Sequence, residues 1–395
     1  MEPPGEAITR LVYGADPVGS YNAPMTSFTF VTPGKVLVGW GAATDGRLAT
    51  QAALLGKTPL LVCGNSLRVS GLLDAIVPTL EKAGLTVTLH VGVPPEPTLA
   101  DCTRAMAAAQ GCDSILAIGG GSALDVAKAA ALDGSIEDYF DGKRAVPEAS
   151  ARPILAAPTT AGTGSEATWV GVFTDKRGAS PRKASIRGGA MLPKTVVLDG
   201  QLTVSCPPSV TAYSGMDAFV QAVEAYVSKG ANPLTDPLAS GAAFDIMEFL
   251  PSAFRDGEAK QARERMLIAS YLAGVALNTA RLGLVHGLAH PLGARTGVAH
   301  GLLCALLLPP VIRFNVGSER DRYYDLAVTM GYTDLALFAE DWLETFSIPR
   351  RLSDLGAKER ELDAMIAETL VSGSTKANPR PVSEADVREV LQACW

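Results

Sequence analysis

The segment Ser114–Ala131 reads SILAIGGGSALDVAKAAA: a short apolar run, three consecutive glycines, a serine, and then an alanine-rich stretch with no β-branched cluster to oppose a helix. An apolar run of this length, bounded by glycine, is a strand buried on both faces. Glycines between a buried strand and a helix let backbone N–H groups approach a pyrophosphate, at a helix N-terminus whose dipole favours an anion. The spacing is not the G-x-G-x-x-G fingerprint, because Leu124 stands at its last position. On these residues alone a phosphate cradle and a plain tight strand-to-helix turn both remain open.

Outward from this unit the pattern repeats. Upstream lie a helical stretch to about Leu55, the strand TPLLVC, a helix from Leu67 to Ala83, the strand LTVTLHV and a helix from Thr98 to Gln110. Downstream, the strand PILAAP runs into PTTAGTGSEAT, Pro158 to Thr168. Continuously apolar strands alternating with helices imply an open parallel sheet covered on both sides. Before it, SFTFVTPGKVLVG, Ser27 to Gly39, reads as two short strands broken at Pro33–Gly34, and residues 1–26 form a lead-in without periodicity. Beyond Pro207 and Pro208 only helical periodicity is found, over 263–278, 300–314 and 334–346, with a loop at 376–381 and a helix at 383–394. The expectation is an α/β domain over 1–206 followed by an all-α domain over 207–395.

With 395 residues, 47% hydrophobic and 19% charged, the chain can bury a large core, and its net charge of −7 gives no basic footprint for nucleic acid or an anionic membrane. The start, MEPPGEAITR, is acidic and has no apolar core, and the apolar run 301–312 holds two prolines and is shorter than the ~20 residues a membrane span needs. A soluble, cytoplasmic protein acting on a small molecule is expected. The six cysteines form no CxxC pair and are read as incidental thiols.

Chemistry concentrates in RLGLVHGLAHPLGARTGVAHGLLCALLLPPVIRFN, Arg281 to Asn315, which holds three of the four histidines. His286 and His290 share a helix face at i, i+4, and Pro291, Gly293 and Gly297 would turn the chain to bring His300 alongside. Upstream, Asp217 and Gln221 are also i, i+4, on a helix rich in Ala, Val and Phe where a buried carboxylate needs a cation to meet. A metal or acid/base site and a set of separately satisfied polar groups are the two readings of these residues alone.

Asp217 with position 221, then G-L-x-H-G-x-A-H-P-L-G-A and a further histidine before Gly301, resembles the iron-containing, or group III, alcohol dehydrogenase family, whose likeness runs over nearly the whole chain. The resemblance implies a dehydroquinate synthase-like architecture with the active site between the two domains, and a homodimer formed through the strands near Pro33. It implies that Asp217, His286 and His300 hold a divalent metal, iron or zinc, with Gln221 in the fourth ligand position where the family has His. A neutral carboxamide is a weaker donor than imidazole, so a weakened metal site is expected, and a metal-free enzyme like maleylacetate reductase is the alternative. His290 matches the histidine beside the metal, near nicotinamide and substrate. Gly119, Gly120, Gly121, Ser122 and Asp125 match the pyrophosphate segment of a nicotinamide coenzyme; Thr159, Thr160 and Thr163 the second coenzyme segment; and Lys183, read as a loop residue, the lysine that reaches the nicotinamide ribose.

The resembling family places an Asp after the second strand to bind the adenosine ribose and repel a 2′-phosphate. Here that position is Gly64, followed by Asn65, Ser66 and Arg68, so NADP is expected to be accepted at least as well as NAD. Arg281 and Arg295 bracket the histidines, and Trp169 follows the second glycine segment; these three are expected to shape a pocket for an alcohol, aldehyde or ketone with an anionic group, carboxylate or phosphonate. A coenzyme binder without catalysis is the reading from outside enzymology.

Overall fold

The computed structural model describes residues 27–178 and 181–395, so the lead-in 1–26 lies outside the described residues. The first half runs β1 (Lys35–Val38), α1 (Arg47–Ala53), β2 (Pro59–Gly64), α2 (Asn65–Val69), α3 (Leu72–Lys82), β3 (Thr88–Val93), α4 (Leu99–Ala108), β4 (Ser114–Gly119), α5 (Gly121–Ala130), α6 (Ile136–Phe140), β5 (Ile154–Pro158), β6 (Val170–Asp175), β7 (Arg182–Arg187) and β8 (Thr195–Leu198). Six strands form one parallel sheet in the order β1-β8-β5-β4-β2-β3. From β2 the chain moves to one side, to β3, and from β4 it moves to the other, to β5. The carboxyl ends of β2 and β4 therefore flank a topological switch point, where open α/β sheets bind ligands. Gly64 and Gly119 end those two strands, and a Cβ on Gly119 would lie 3.7 Å from the Gly64 nitrogen.

The second half is helical: α7 (Pro208–Val227), α8 (Asp236–Arg255), α9 (Lys260–Ala280), α10 (Leu284–Thr296), α11 (His300–Thr329), α12 (Leu335–Thr345), α13 (Leu362–Val371), α14 (Gly373–Ala377) and α15 (Glu384–Ala393). Pro208 opens α7 at a position where its missing N–H costs nothing. Helix α7 is buried along most of its length, with Phe219 tilted against Phe338 and Trp342 at centroid distances of 5.6 and 5.1 Å. The stretch His300–Ser318 is long and apolar enough to cross a bilayer by length and composition, yet 72% of its hydropathy window is buried inside the fold.

Three expectations are corrected. Residues 27–32 carry no strand, so the hairpin at Pro33–Gly34 is absent, and β1 pairs in parallel with β8. The helix expected over 67–83 is two helices, broken at Gly71, whose φ of 76° ends one helical path and starts another. Lys183 lies in β7, paired antiparallel with β6, and not in a loop. The apolar face of RKASIR is only Ala184 and Ile186, which pack into the core while Lys183, Ser185 and Arg187 face the other way, too short an alternation to stand out in the sequence.

A buried ion pair ties α5 to the glycine segment at 158–168. Lys128, 1% exposed, donates to Ser165 Oγ at 2.8 Å, Thr168 Oγ1 at 3.1 Å and the Val170 carbonyl at 2.5 Å, and stands 3.7 Å from Asp125 Oδ1. Asp125 in turn accepts from Ser165 Oγ at 2.6 Å and from the Val172 N–H at 2.9 Å. All three ammonium donors are used. Removing one partner strands the other charge, so Lys128→Met is expected to lower the unfolding free energy at pH 7 by roughly 3–5 kcal/mol. Burial lowers the Lys128 pKa from 10.5 to about 8. Between these values the unfolded chain binds more protons than the folded one, so stability should rise with pH across that window and Lys128→Met should remove the rise. Denaturant titrations at pH 7 to 10 check both; an unchanged midpoint in the variant would contradict them.

Candidate active site

A cleft of about 1120 Å³, open to solvent, lies where α5, the 158–168 segment and the β6–β7 pair face α7, α10 and α11. Strand periodicity decides what the β6–β7 pair contributes. Lys183, Ser185 and Arg187 alternate into the cleft from β7, as do Thr168, Val170 and Val172 from the other strand and the residues leading into it. Trp169 falls between Thr168 and Val170 and does not line the cleft, which corrects its expected place in the substrate pocket. Its backbone N–H is instead bound by Asn278 Oδ1 at 3.3 Å.

The helical wall presents Asp217, Gln221, His286, His290 and His300. The start of α10 is capped from two directions: Glu224 Oε1 accepts from the Val285 N–H at 2.7 Å, and Asn378 Oδ1 accepts from the Leu284 N–H at 3.1 Å. The second Glu224 oxygen meets His286 Nδ1 at 2.6 Å, fixing the ring so that Nε2 points to Asp217 Oδ1 at 3.4 Å. Helix α10 continues through Pro291, and Gly297, at φ 68°, makes the turn that returns His300. His300 Nε2 lies 3.8 Å from the same Asp217 oxygen, and the His290 ring stacks on His300 at 5.2 Å. Gln221 Nε2 donates to Asp217 Oδ2 at 3.1 Å.

Of the buried polar side-chain atoms without a hydrogen-bond partner among the described residues, four belong to this wall: Asp217 Oδ1, Gln221 Oε1, His286 Nε2 and His300 Nδ1. Each such orphan costs roughly 1–3 kcal/mol, and a concentration of them is accounted for by a group that binds among them. Asp217, His286, His300 and Cys304 offer ligand atoms that all lie within 4.8 Å of one another. One anionic oxygen, two imidazole nitrogens and a sulfur are a donor set that fits a divalent transition-metal ion. Burial first, then Lys183 and the neighbouring histidines, push the pKa values of His290 and His300 well below the usual range, so both rings are neutral and carry lone pairs. For His286 burial acts in the same sense, but Cys304, Glu224 and Asp217 outweigh it and raise its pKa well above the ordinary value. Burial pushes the Cys304 thiol up to about 12.

The expected coenzyme residues gather at the switch point. Gly121 and Ser122 line the cleft, and a Cβ on Gly121 would lie 2.5 Å from Thr163 Cγ2, so the two glycine segments touch. Thr160 stands beside Gly120, within 3.5 Å of where a Cβ would be. Thr159 donates its N–H to the Gly119 carbonyl. Asn65 accepts from Arg68 Nη2 at 2.8 Å, and Ser66 sits next to Gly64 at the start of α2. Asp125 lines the cleft, but its oxygens are taken by Ser165, Val172 and Lys128, so it braces the loop and is not free to meet a pyrophosphate. Lys183 lines the cleft with its ammonium on Glu96.

Of the two expected substrate arginines, Arg281 lines the cleft and Arg295 does not. Arg295 is five residues past His290, about 140° around a helix of 3.6 residues per turn, and it pairs with Glu368 at 2.5 Å and with the Pro291 carbonyl at 3.0 Å. The second cleft arginine is Arg187, which sequence reading missed. Among the described residues neither Arg187 nor Arg281 has a carboxylate partner, and burial followed by the like charge of Arg281 holds the Arg187 guanidinium below its ordinary pKa. Arg281 sits at φ 72°, ψ −170°, a region nearly reserved for glycine, at the joint between α9 and α10. Also missed were Glu224, on the same stripe as Asp217 and Gln221, and Cys304, one turn beyond His300. Cys304, expected to be an incidental thiol, stands with Asp217, His286 and His300 in one cluster of ligand atoms.

Residues 33–200 match the family described as iron-containing alcohol dehydrogenase, and residues 211–395 match its C-terminal region, described as Fe-containing alcohol dehydrogenase family, C-terminal. The chain belongs to the iron-containing alcohol dehydrogenase family. It is 34% identical over 386 residues to the NAD-dependent methanol dehydrogenase of Bacillus methanolicus, covering 93% of this chain and 99% of that one. Among solved structures, a 1,3-propanediol oxidoreductase superposes with a TM-score of 0.86 at 34% identity, over 94% of this chain and 100% of that one. A sulfoacetaldehyde reductase from Bifidobacterium kashiwanohense in complex with NAD+ superposes with a TM-score of 0.84 at 29% identity, over 94% and 99%. As a member of this family the protein is an NAD(P)-dependent oxidoreductase of alcohols and aldehydes.

Proposed function

We propose that this enzyme reduces a short aldehyde or ketone bearing a carboxylate, sulfonate or phosphonate group, in a cytoplasmic homodimer. The observation that carries the substrate class is the pair Arg187 and Arg281, two guanidinium groups lining the cleft with no carboxylate partner among the described residues. Holding like charges together is unfavourable unless an anion arrives, and planar guanidinium forks suit the oxygens of such groups. Two further charges of the cleft wall are already paired, Lys183 with Glu96 and Asp125 with Lys128. The name of the sulfoacetaldehyde reductase given above points the same way, to an anionic aldehyde. For the dimer, support comes from β1, the edge strand of the sheet, which leaves Val38 half exposed.

In this reading the N-terminus of α5, with the backbone of Gly120 to Ser122, receives the coenzyme pyrophosphate, and Thr160 and Thr163 wall the same space. Asp217, His286 and His300 hold the divalent ion, which supplies Lewis-acid polarisation of the carbonyl oxygen. Glu224 keeps His286 oriented for that task, as partners behind metal-binding histidines do. His290, neutral and stacked on His300, is the residue placed to pass a proton between the substrate oxygen and solvent. Arg187 and Arg281 orient the anionic end of the substrate.

Steady-state reduction of a length-matched panel tests the substrate class. Carboxylated, sulfonated or phosphonylated aldehydes should be turned over with the higher kcat/KM, and Arg187→Ala and Arg281→Ala should each raise KM for them by about 10- to 100-fold, the worth of a charge-assisted hydrogen bond. Equal efficiency on uncharged aldehydes, with KM unmoved in both variants, would sink it. For the coenzyme, the absence of a carboxylate at Gly64 supports use of NADP at least as well as NAD. A Cβ at Gly64 would meet nothing closer than 3.6 Å, so Gly64→Asp fits sterically and should shift the kcat/KM ratio toward NAD. A strong native preference for NAD would contradict that part.

A further inference from the structure

We infer that Cys304, and not Gln221, is the fourth protein ligand of the metal, making an Asp217–His286–His300–Cys304 site suited to zinc. The inference rests on the metal reading above and adds to it a ligand that neither the family resemblance nor the relatives supply.

Geometry is the first support. Tetrahedral bonds of roughly 2.0–2.3 Å place neighbouring ligand atoms about 3.3–3.6 Å apart. The separations here are 3.4 Å for His286 Nε2 to Asp217 Oδ1, 3.6 Å for Cys304 Sγ to His300 Nε2, and 3.8 Å for His300 Nε2 to Asp217 Oδ1. Three edges of a tetrahedron are thus already close to the length a bound ion would give them. Cys304 takes its place because α11 lies directly on α7: a Cβ on Gly301 would sit 2.0 Å from the Tyr213 carbonyl oxygen and 3.2 Å from Asp217 Cβ, an approach open only to glycine. One turn later on the same face, the buried sulfur reaches the cluster.

The second support is independent of the sulfur. Asp217 Oδ1 and His286 Nε2, on residues 3% and 2% exposed, have no hydrogen-bond partner and point at each other's surroundings. Gln221 Oε1 is also without a hydrogen-bond partner, but a neutral carboxamide oxygen is a weaker donor to a divalent ion than a thiolate, and Gln221 Nε2 is engaged with Asp217 Oδ2. Its part is to hold the carboxylate.

Charge completes the argument. One carboxylate and one thiolate balance a divalent ion, while two neutral imidazoles add no charge. Binding breaks the S–H bond, forms the metal–sulfur bond and releases one proton to solvent, because a coordinating thiol is deprotonated by the ion. Thiolate is a soft ligand, so the replacement favours zinc over iron(II).

The test uses the full-length chain, stripped with a chelator and titrated with Co2+ and with Zn2+. Unaltered protein should bind one Co2+ per chain with a thiolate-to-cobalt charge-transfer band in the near ultraviolet. Cys304→Ser, which keeps the other five cysteines, should lose the band and bind zinc at least tenfold more weakly, while Gln221→Ala keeps the band. Thermal melting and coenzyme binding verify that the variants fold, and the spectrum of the unaltered chain needs no variant at all. Stoichiometric cobalt without the band overturns the assignment of Cys304 alone. A chain that binds neither ion overturns it together with the metal reading.

Discussion

The buried carboxylate of Asp217 is the constraint around which the helical half is arranged. A charge among Ala218, Phe219 and Val220 costs several kcal/mol unless a cation or donors meet it, and Gln221 satisfies only one of its two oxygens. The other oxygen sets where the remaining elements must lie. Glu224, two turns along the same face of α7, caps α10 and aims His286. Gly301 lets α11 press onto α7 and carries His300 and Cys304 into range. Three helices therefore pack at one point because each brings a group that the carboxylate needs.

The other half is held to this point by a second buried charge. Lys128 and Asp125 knit α5 to residues 165–172, and the same segment meets α9 so closely that a Cβ on Gly164 would lie 2.6 Å from the Gly274 Cα. Because the glycine segments and the histidines are fixed through these contacts, the cleft is a property of both halves. Neither the glycine segments nor the histidines would make a site alone.

Much of this was legible in the chain. Glycine runs after apolar strands, and histidines at i, i+4 before a turn, are local patterns, so Gly119 to Ser122, His286 and His300 could be placed from sequence. Residues whose role depends on which way a face points were harder. Arg295 lies close to the histidines in sequence but on the far side of α10, while Arg187 is distant in sequence and alternates into the cleft from a short strand whose only apolar residues are Ala184 and Ile186. Glu224 and Lys128 were readable in principle, as lone charges on apolar helices at i+7 from Asp217 and i+3 from Asp125. Cys304 carries no CxxC signal, because its relevant neighbour is a histidine one turn away. The neutral Gln221 points to a weakened metal site, whereas the proposed Cys304 ligand would give the same cluster a stronger fourth donor.

The most direct test of the account is elemental analysis of protein purified without chelator, paired with aldehyde reduction before and after the metal is removed. The account predicts about one divalent ion per chain, loss of turnover on removal and recovery with zinc. Full turnover by protein shown to hold no metal would contradict it.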